Sequence, residues 1–213
     1  MSYFRTILNA LGIGSSPPVS NTGNPNTQNT EEIERKFLVK SKPTIPPDAE
    51  IQQITQAYLF VSDEREERIR RTESNGRVEY TKTVKTTKDE SGLQRGEDES
   101  PITEGEYKSL LLSAKGKIID KTRYVIPHDN GLKLEYDIYE GSLKGLEVVE
   151  VEFPNVEASN QFTPPAWFGA DVTSHKGLKN KNLAMKGIPE DLLAEVNARR
   201  LASQGVFAAW TSL

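Results

Sequence analysis

Charge in this chain recurs at every second position of short strand-like runs, and that periodicity restricts the fold more than any other feature. In Glu32-Ile33-Glu34-Arg35-Lys36-Phe37, residues Glu32, Glu34 and Lys36 share one side of an extended strand, while Ile33, Arg35 and Phe37 share the other. The same reading predicts further strands over residues 53–61, 67–71, 77–86, 93–99, 118–126, 132–139 and 146–153. Asn75-Gly76 and Asn130-Gly131 predict two-residue hairpin turns. A capping box, Thr103 with Glu106, predicts a helix over 102–112. Short strands with few helices predict a mainly β (α+β) domain, an antiparallel barrel or sandwich.

Two placements are open for the charged rows. They can form a solvated exterior around an apolar centre. Alternatively, the bulky apolar rows face outward under amphipathic helices and the charges line a wet interior. The charges are also sorted by strand: acids dominate the first and last, bases the third, fourth and sixth. Such zones suit a metal–polyphosphate complex, because carboxylates must converge on the cation while arginine forks and lysines take phosphate oxygens.

Composition narrows the chemistry. The 213 residues contain no cysteine and two histidines, His128 and His175, which rules out thiolate sites and histidine-rich zinc sites. A metal would be held mainly by carboxylates, favouring magnesium, manganese or calcium. The net charge of −4 argues against a general nucleic-acid or membrane-surface binder. No apolar run reaches bilayer length, and a cytoplasmic location is expected.

Residues 1–30 read as a flexible segment with a short helix, and the single Arg5 gives thin support to organelle targeting. Residues 31–186 read as the folded domain, and 187–213 as a final helix and tail packed on or beside it. Leu192, Leu193, Val196 and Leu201 are expected on the buried face of that helix, Arg199-Arg200 at its solvated end, and Trp210 as an anchor. His175 is expected at a lid or surface, and Asn160, Asn180 and Asn182 in loops.

In order along the chain, Glu32-x-Glu34-x-Lys36, Gln56-Ala57-Tyr58-Leu59, Arg68-Ile69-Arg70, Thr83-Val84-Lys85, Arg95-x-Glu97-x-Glu99, Lys121-Thr122-Arg123-Tyr124, Glu135-Tyr136-Asp137, Glu150-Val151-Glu152 and Lys179-Asn180-Lys181-Asn182-Leu183-Ala184 resemble the CYTH superfamily, the triphosphate tunnel metalloenzymes. The resemblance covers about residues 31–185. It implies an eight-stranded antiparallel closed barrel with flanking helices, whose lumen binds triphosphate with Mg2+ or Mn2+. Glu32, Glu34, Glu150 and Glu152 would be the principal metal ligands, with Glu97, Glu99, Glu135 and Asp137 as further acids for a second metal or for water. Lys36, Arg68, Arg70, Lys85, Arg95, Lys121 and Arg123 would bind phosphate oxygens, and Lys179 lies in the segment that closes one end. Catalytic roles are expected for Glu34, Lys85 and either Asp137 or Glu99 as proton acceptor.

The implied activity is hydrolysis of a triphosphate, foremost inorganic triphosphate. A class IV adenylate cyclase and a non-catalytic triphosphate-binding module are the alternatives. The expected partner is a triphosphate-containing small molecule, without nucleic acid or membrane, and a homodimer is allowed. Two departures bear on substrate choice: Pro101 stops the fifth-strand acids early, and Gly177-Leu178 replaces a common Arg-Tyr pair.

Overall fold

The computed structural model describes residues 33–87 and 95–203. Nine strands form one antiparallel sheet: β1 (Ile33–Val39), β2 (Glu50–Val61), β3 (Arg65–Ser74), β4 (Arg77–Thr87), β5 (Arg95–Pro101), β6 (Lys115–Pro127), β7 (Lys133–Tyr139), β8 (Glu147–Phe153) and β9 (Phe168–Asp171). Their order is β5-β4-β3-β2-β6-β7-β8-β1-β9. All eight expected strands are present. The ninth is short and follows Pro164 and Pro165, leaving no alternation to read.

Strand pairing adds a ninth strand to the eight expected, and among the described residues it does not close the sheet. β9 takes the side of β1 that closure would require, and among the described residues no ladder joins β5 to β9. The sheet is nevertheless strongly curved. Leu38, Tyr58, Ile119, Tyr139 and Val148, from five consecutive strands of the order, share one buried cluster with Leu183 and Ala184. Laid flat, those strands would span roughly 19 Å, too wide for one short helix to bridge.

Four α-helices lie among the described residues: α1 (Glu104–Leu111), α2 (Val156–Gln161), α3 (Asn180–Lys186) and α4 (Leu193–Ser203). The capping box forms as the sequence predicts, with Thr103 and Glu106 exchanging hydrogen bonds. Tyr107 of α1 packs on Ala57 and Ile69, on the apolar face of the sheet. Near α2, Phe162 joins Phe37, Val151, Phe153 and Phe168 on that same face. The bulky rows are thus covered from outside, and the charged rows occupy the concave side.

Local chemistry explains the turns and several differences. Asn75 and Gly76 both take positive φ (51° and 74°), as a tight hairpin requires. The Asn130-Gly131 turn is wider than expected, because a 3₁₀ turn over Asp129–Gly131 carries the chain from Pro127 to Lys133. Asn160 lies in α2, and Asn180 and Asn182 lie in α3, rather than in loops. On α4 only Val196 is deeply buried; Leu192 packs partly, while Leu193 and Leu201 are exposed. Arg199 and Arg200 are not simply solvated, since they donate to the carbonyls of Val39 and Lys144. Residues 1–30 and Trp210 lie outside the described residues.

Gly116 marks where β6 meets α3. Its φ is +68°, and a Cβ there would stand 2.6 Å from the carbonyl oxygen of Ala184. Gly76 has the same left-handed backbone and open space around it. Gly76→Ala should cost about 1 kcal/mol, from backbone strain alone. Gly116→Ala should cost roughly 2–4 kcal/mol, because α3 must also shift. Urea unfolding of the two variants checks the difference.

Candidate active site

Register assembles the site. Glu34 lies opposite Glu152, Lys36 opposite Glu150, and Glu150 opposite Glu135. Asp137 lies opposite Arg123, Gln56 opposite Arg70, Arg68 and Glu99 each opposite Thr83, and Lys85 opposite Glu97. Paired residues of an antiparallel ladder share a face. Every strand-borne site residue whose side chain is described therefore stands on the concave side. Glu32 and the side chain of Arg95 lie outside the described residues, and Lys179 is exposed just before α3.

The face has a wet end and a plugged end. Glu34, Glu152 and Glu99 are exposed, whereas Lys36, Lys121, Arg123 and Asp137 are buried. Beyond them the apolar cluster around α3 fills the space. Tyr139 Oη donates to Asn180 Oδ1 at 2.7 Å, Lys36 Nζ donates to the Leu178 carbonyl at 3.1 Å, and Lys181 pairs with Glu66 at 3.6 Å. Leu178, one of the departures noted in the sequence, thus contributes its backbone to the plug.

Opposite charges interleave here rather than keeping to zones of one sign. Arg123 Nε donates to Asp137 Oδ1 at 2.7 Å, and its Nη2 donates to Asp137 Oδ2 and to Glu150 at 2.8 Å each. Its Nη1 donates to Glu135. Lys121 Nζ donates to Asp137 Oδ2 at 2.5 Å, and Lys36 pairs with Glu150 at 2.6 Å. On the other wing Lys85 and Arg68 both reach Glu97, at 2.6 and 3.4 Å, and Thr83 donates to Glu99 at 2.7 Å. Burial is the reason. A charge taken out of water must meet an opposite charge and hydrogen bonds, or it costs several kcal/mol.

These contacts set the ionisation of the group. Burial opposes the charge of Glu150 and of Asp137, yet Lys36, Lys121 and Arg123 around Glu150, and Arg123 and Lys121 around Asp137, hold both carboxyls below their ordinary range. Glu135 goes the other way: burial raises it, and Glu150 and Asp137 add repulsion that Arg123 does not fully offset. Burial and this repulsion thus raise Glu135 beside two carboxyls that are held low. Burial and the neighbouring Arg123 push Lys121 down to about 8, against the pull of Asp137.

The acids come in cross-strand pairs, Glu34 with Glu152 and Glu135 with Glu150. Among the described residues no three converge to encircle a cation. The exposed pair, Glu34 with Glu152, fits a magnesium-like ion, which takes one or two carboxylates and completes its shell with water and phosphate oxygens, whereas Glu150 and Glu135 are engaged by Lys36 and Arg123.

No protein-family model matches the chain. It is 38% identical over 157 residues to an inorganic triphosphatase of Nitrosomonas europaea, a match that covers 72% of this chain and 97% of that relative. It is 32% identical over 154 residues to an inorganic triphosphatase of Acetivibrio thermocellus, covering 72% and 92%. The chain belongs to the CYTH family. A solved inorganic triphosphatase superposes with a TM-score of 0.57 at 34% identity, covering 75% of this chain and 98% of that one. The ordered CYTH motifs are therefore a true family likeness, and their parity is the concave face described above.

Sequence reasoning gave no role to several members of this CYTH site. Glu66 lies in β3 facing Lys85, one residue before the strand predicted over 67–71. Gln56 and Thr83 are buried and polar on the concave face, where neutral side chains gave no charge signal. Lys181 sits on α3, within a motif of the resemblance in which only Lys179 was given a place.

Asp137→Asn leaves Lys121 and Arg123 without their buried counter-ion and should cost about 3–5 kcal/mol in denaturant unfolding. The acid limb carries the same signature. Asp137 and Glu150 have folded pKa values below their unfolded ones, so their stabilisation is complete above the unfolded values and fades as pH falls through the folded values. Unfolding free energy should therefore drop below about pH 4, and drop less steeply in Asp137→Asn.

Proposed function

We propose that this CYTH chain is a divalent-metal-dependent triphosphatase whose substrate is inorganic triphosphate and whose reaction removes a terminal phosphoryl group. The observation that carries the reading is the row of cations on the concave face: Lys36, Arg68, Arg70, Lys85, Lys121 and Arg123 all point into one curved surface that α3 closes at one end. The two relatives named inorganic triphosphatase, matched over nearly their whole lengths, supply the activity class. Closure of the lumen into a full tunnel is part of the same proposal.

In this reading the arginine forks and lysines spread over the phosphate oxygens and offset the charge that builds as the bond to the leaving diphosphate loosens. Glu34 and Glu152, with Glu32, would hold Mg2+ or Mn2+, which would supply Lewis-acid charge neutralisation; Glu150 and Glu135 would join only by exchanging their contacts with Lys36 and Arg123 for the cation. The proton acceptor is better assigned to Glu99 than to Asp137. Both oxygens of Asp137 are occupied by cations, and its carboxyl is held low, which makes it a poor base. Glu99 is exposed at the open end, with a hydroxyl partner in Thr83.

The test is phosphate release from inorganic triphosphate, thiamine triphosphate and ATP, each with magnesium and with manganese, alongside a cyclic-nucleotide assay on ATP. Fastest release from inorganic triphosphate, abolished by chelator, is the expected result. Cyclic AMP as the main product would assign the cyclase chemistry instead, and tight binding without turnover the non-catalytic alternative. Glu34→Gln should lower kcat by about two orders of magnitude or more. Its unfolding free energy should stay within about 1 kcal/mol of the wild type, as for an exposed side chain.

A further inference from the structure

Gln56 is a fully buried amide among charges, and the assignments above give it no role. It stands on β2 between Arg70 and Ile119 of the flanking strands. Its Oε1 accepts from Arg70 Nε at 3.1 Å and from Arg70 Nη2 at 2.9 Å. Its Nε2 donates to Tyr58 Oη at 2.8 Å. The amide orientation follows from its partners: arginine only donates, so the oxygen must face Arg70 and the nitrogen must face the phenol.

The partner types on this face make that contact distinctive. Arg123, Arg68, Lys36 and Lys121 hydrogen-bond or pair with carboxylates. Arg70 instead rests on a neutral oxygen, with Arg68 and Arg123 nearby and Glu99 as the acid pulling from further off. The contact uses one edge of the guanidinium and leaves the other N–H groups of the fork for an anion. A carboxylate at position 56 would hold the fork equally well but would cancel its charge. An apolar side chain would leave the charge but release the fork. Glutamine alone among residues of this size does both jobs.

We infer that Gln56 is a positioning residue: it aims Arg70 at the bound triphosphate while leaving the arginine's charge uncompensated. This rests on the triphosphatase reading and deepens it. In binding terms, the residue sets how much of Arg70's attraction reaches a polyanion, and so helps to select a triphosphate over less charged phosphates.

The experiment is calorimetric binding of inorganic triphosphate with magnesium, paired with phosphate release, for the full chain and for Gln56→Met, Gln56→Glu, Arg70→Ala and the Gln56→Met/Arg70→Ala double variant. Gln56→Met should weaken binding about tenfold or more, as expected for a hydrogen bond to a charged group. In the Arg70→Ala background the same change should matter less than about twofold, because its effect runs through Arg70. Gln56→Glu keeps size and acceptor, so it should fold; it should weaken binding about tenfold or more and flatten the salt dependence of affinity. Equal losses from Gln56→Met in both backgrounds, or wild-type affinity in Gln56→Glu, would overturn the inference. Binding without phosphate release by the wild type removes the hydrolytic reading, and the binding cycle still judges Gln56. Absence of triphosphate binding by the wild type overturns both.

Discussion

The constraint on which this molecule depends is that its most deeply buried charges must neutralise one another. Arg123 on β6 reaches Asp137 and Glu135 on β7 and Glu150 on β8, and Lys36 on β1 reaches the same Glu150. Four neighbouring strands are thereby tied through side chains as well as through their ladders. The network brings little stability for its area, since desolvation of ions offsets most of their attraction. What it fixes is position: removing any one member strands the others, so the side chains have few alternative arrangements. A surface that must present several cations in a set geometry benefits from that rigidity.

The hydrophobic effect works on the outside of the same sheet. Phe37, Val149, Val151 and Phe153 alternate with Lys36, Glu150 and Glu152 along β1 and β8, so each strand buries grease on its convex side and charge on its concave side. On the concave side a buried apolar cluster gathers at one end, where Tyr58, Ile119, Tyr139 and Val148 meet α3. Fold stability and ion-binding capacity are thus assigned to opposite parities of the same strands, and a change in one row need not disturb the other.

Much of this was legible in the sequence because a two-residue period is simple to read wherever it is unbroken. The rows of β1, β7 and β8 and the capping box of α1 follow directly from residue order. What could not be read has physical causes. A register shift between Tyr58 and Phe60 switches the parity of β2, so a single alternation cannot describe that strand. The four residues of β9 are too few to show any period, and their pairing with β1 depends on a contact far along the chain. The pairing of cations with acids was also invisible, because the sequence orders charges by strand while the register decides which of them touch. Gln56 stood in a motif of the resemblance but showed no role, since a neutral amide looks unremarkable until its burial is known.

The two margins of the sheet, unjoined among the described residues, carry a consequence for life in a crowded solution. A strand with an unfilled side is a template on which another chain can crystallise, and extended pleated sheets spread into fibres by that route. Here one margin carries Glu97-Asp98-Glu99 in sequence and terminates in Pro101, which has no amide hydrogen to offer. The opposite margin is only Phe168–Asp171, and its last residue is engaged by Arg35. Both borders therefore discourage a stranger from docking, by electrostatic repulsion on one flank and by sheer brevity on the other.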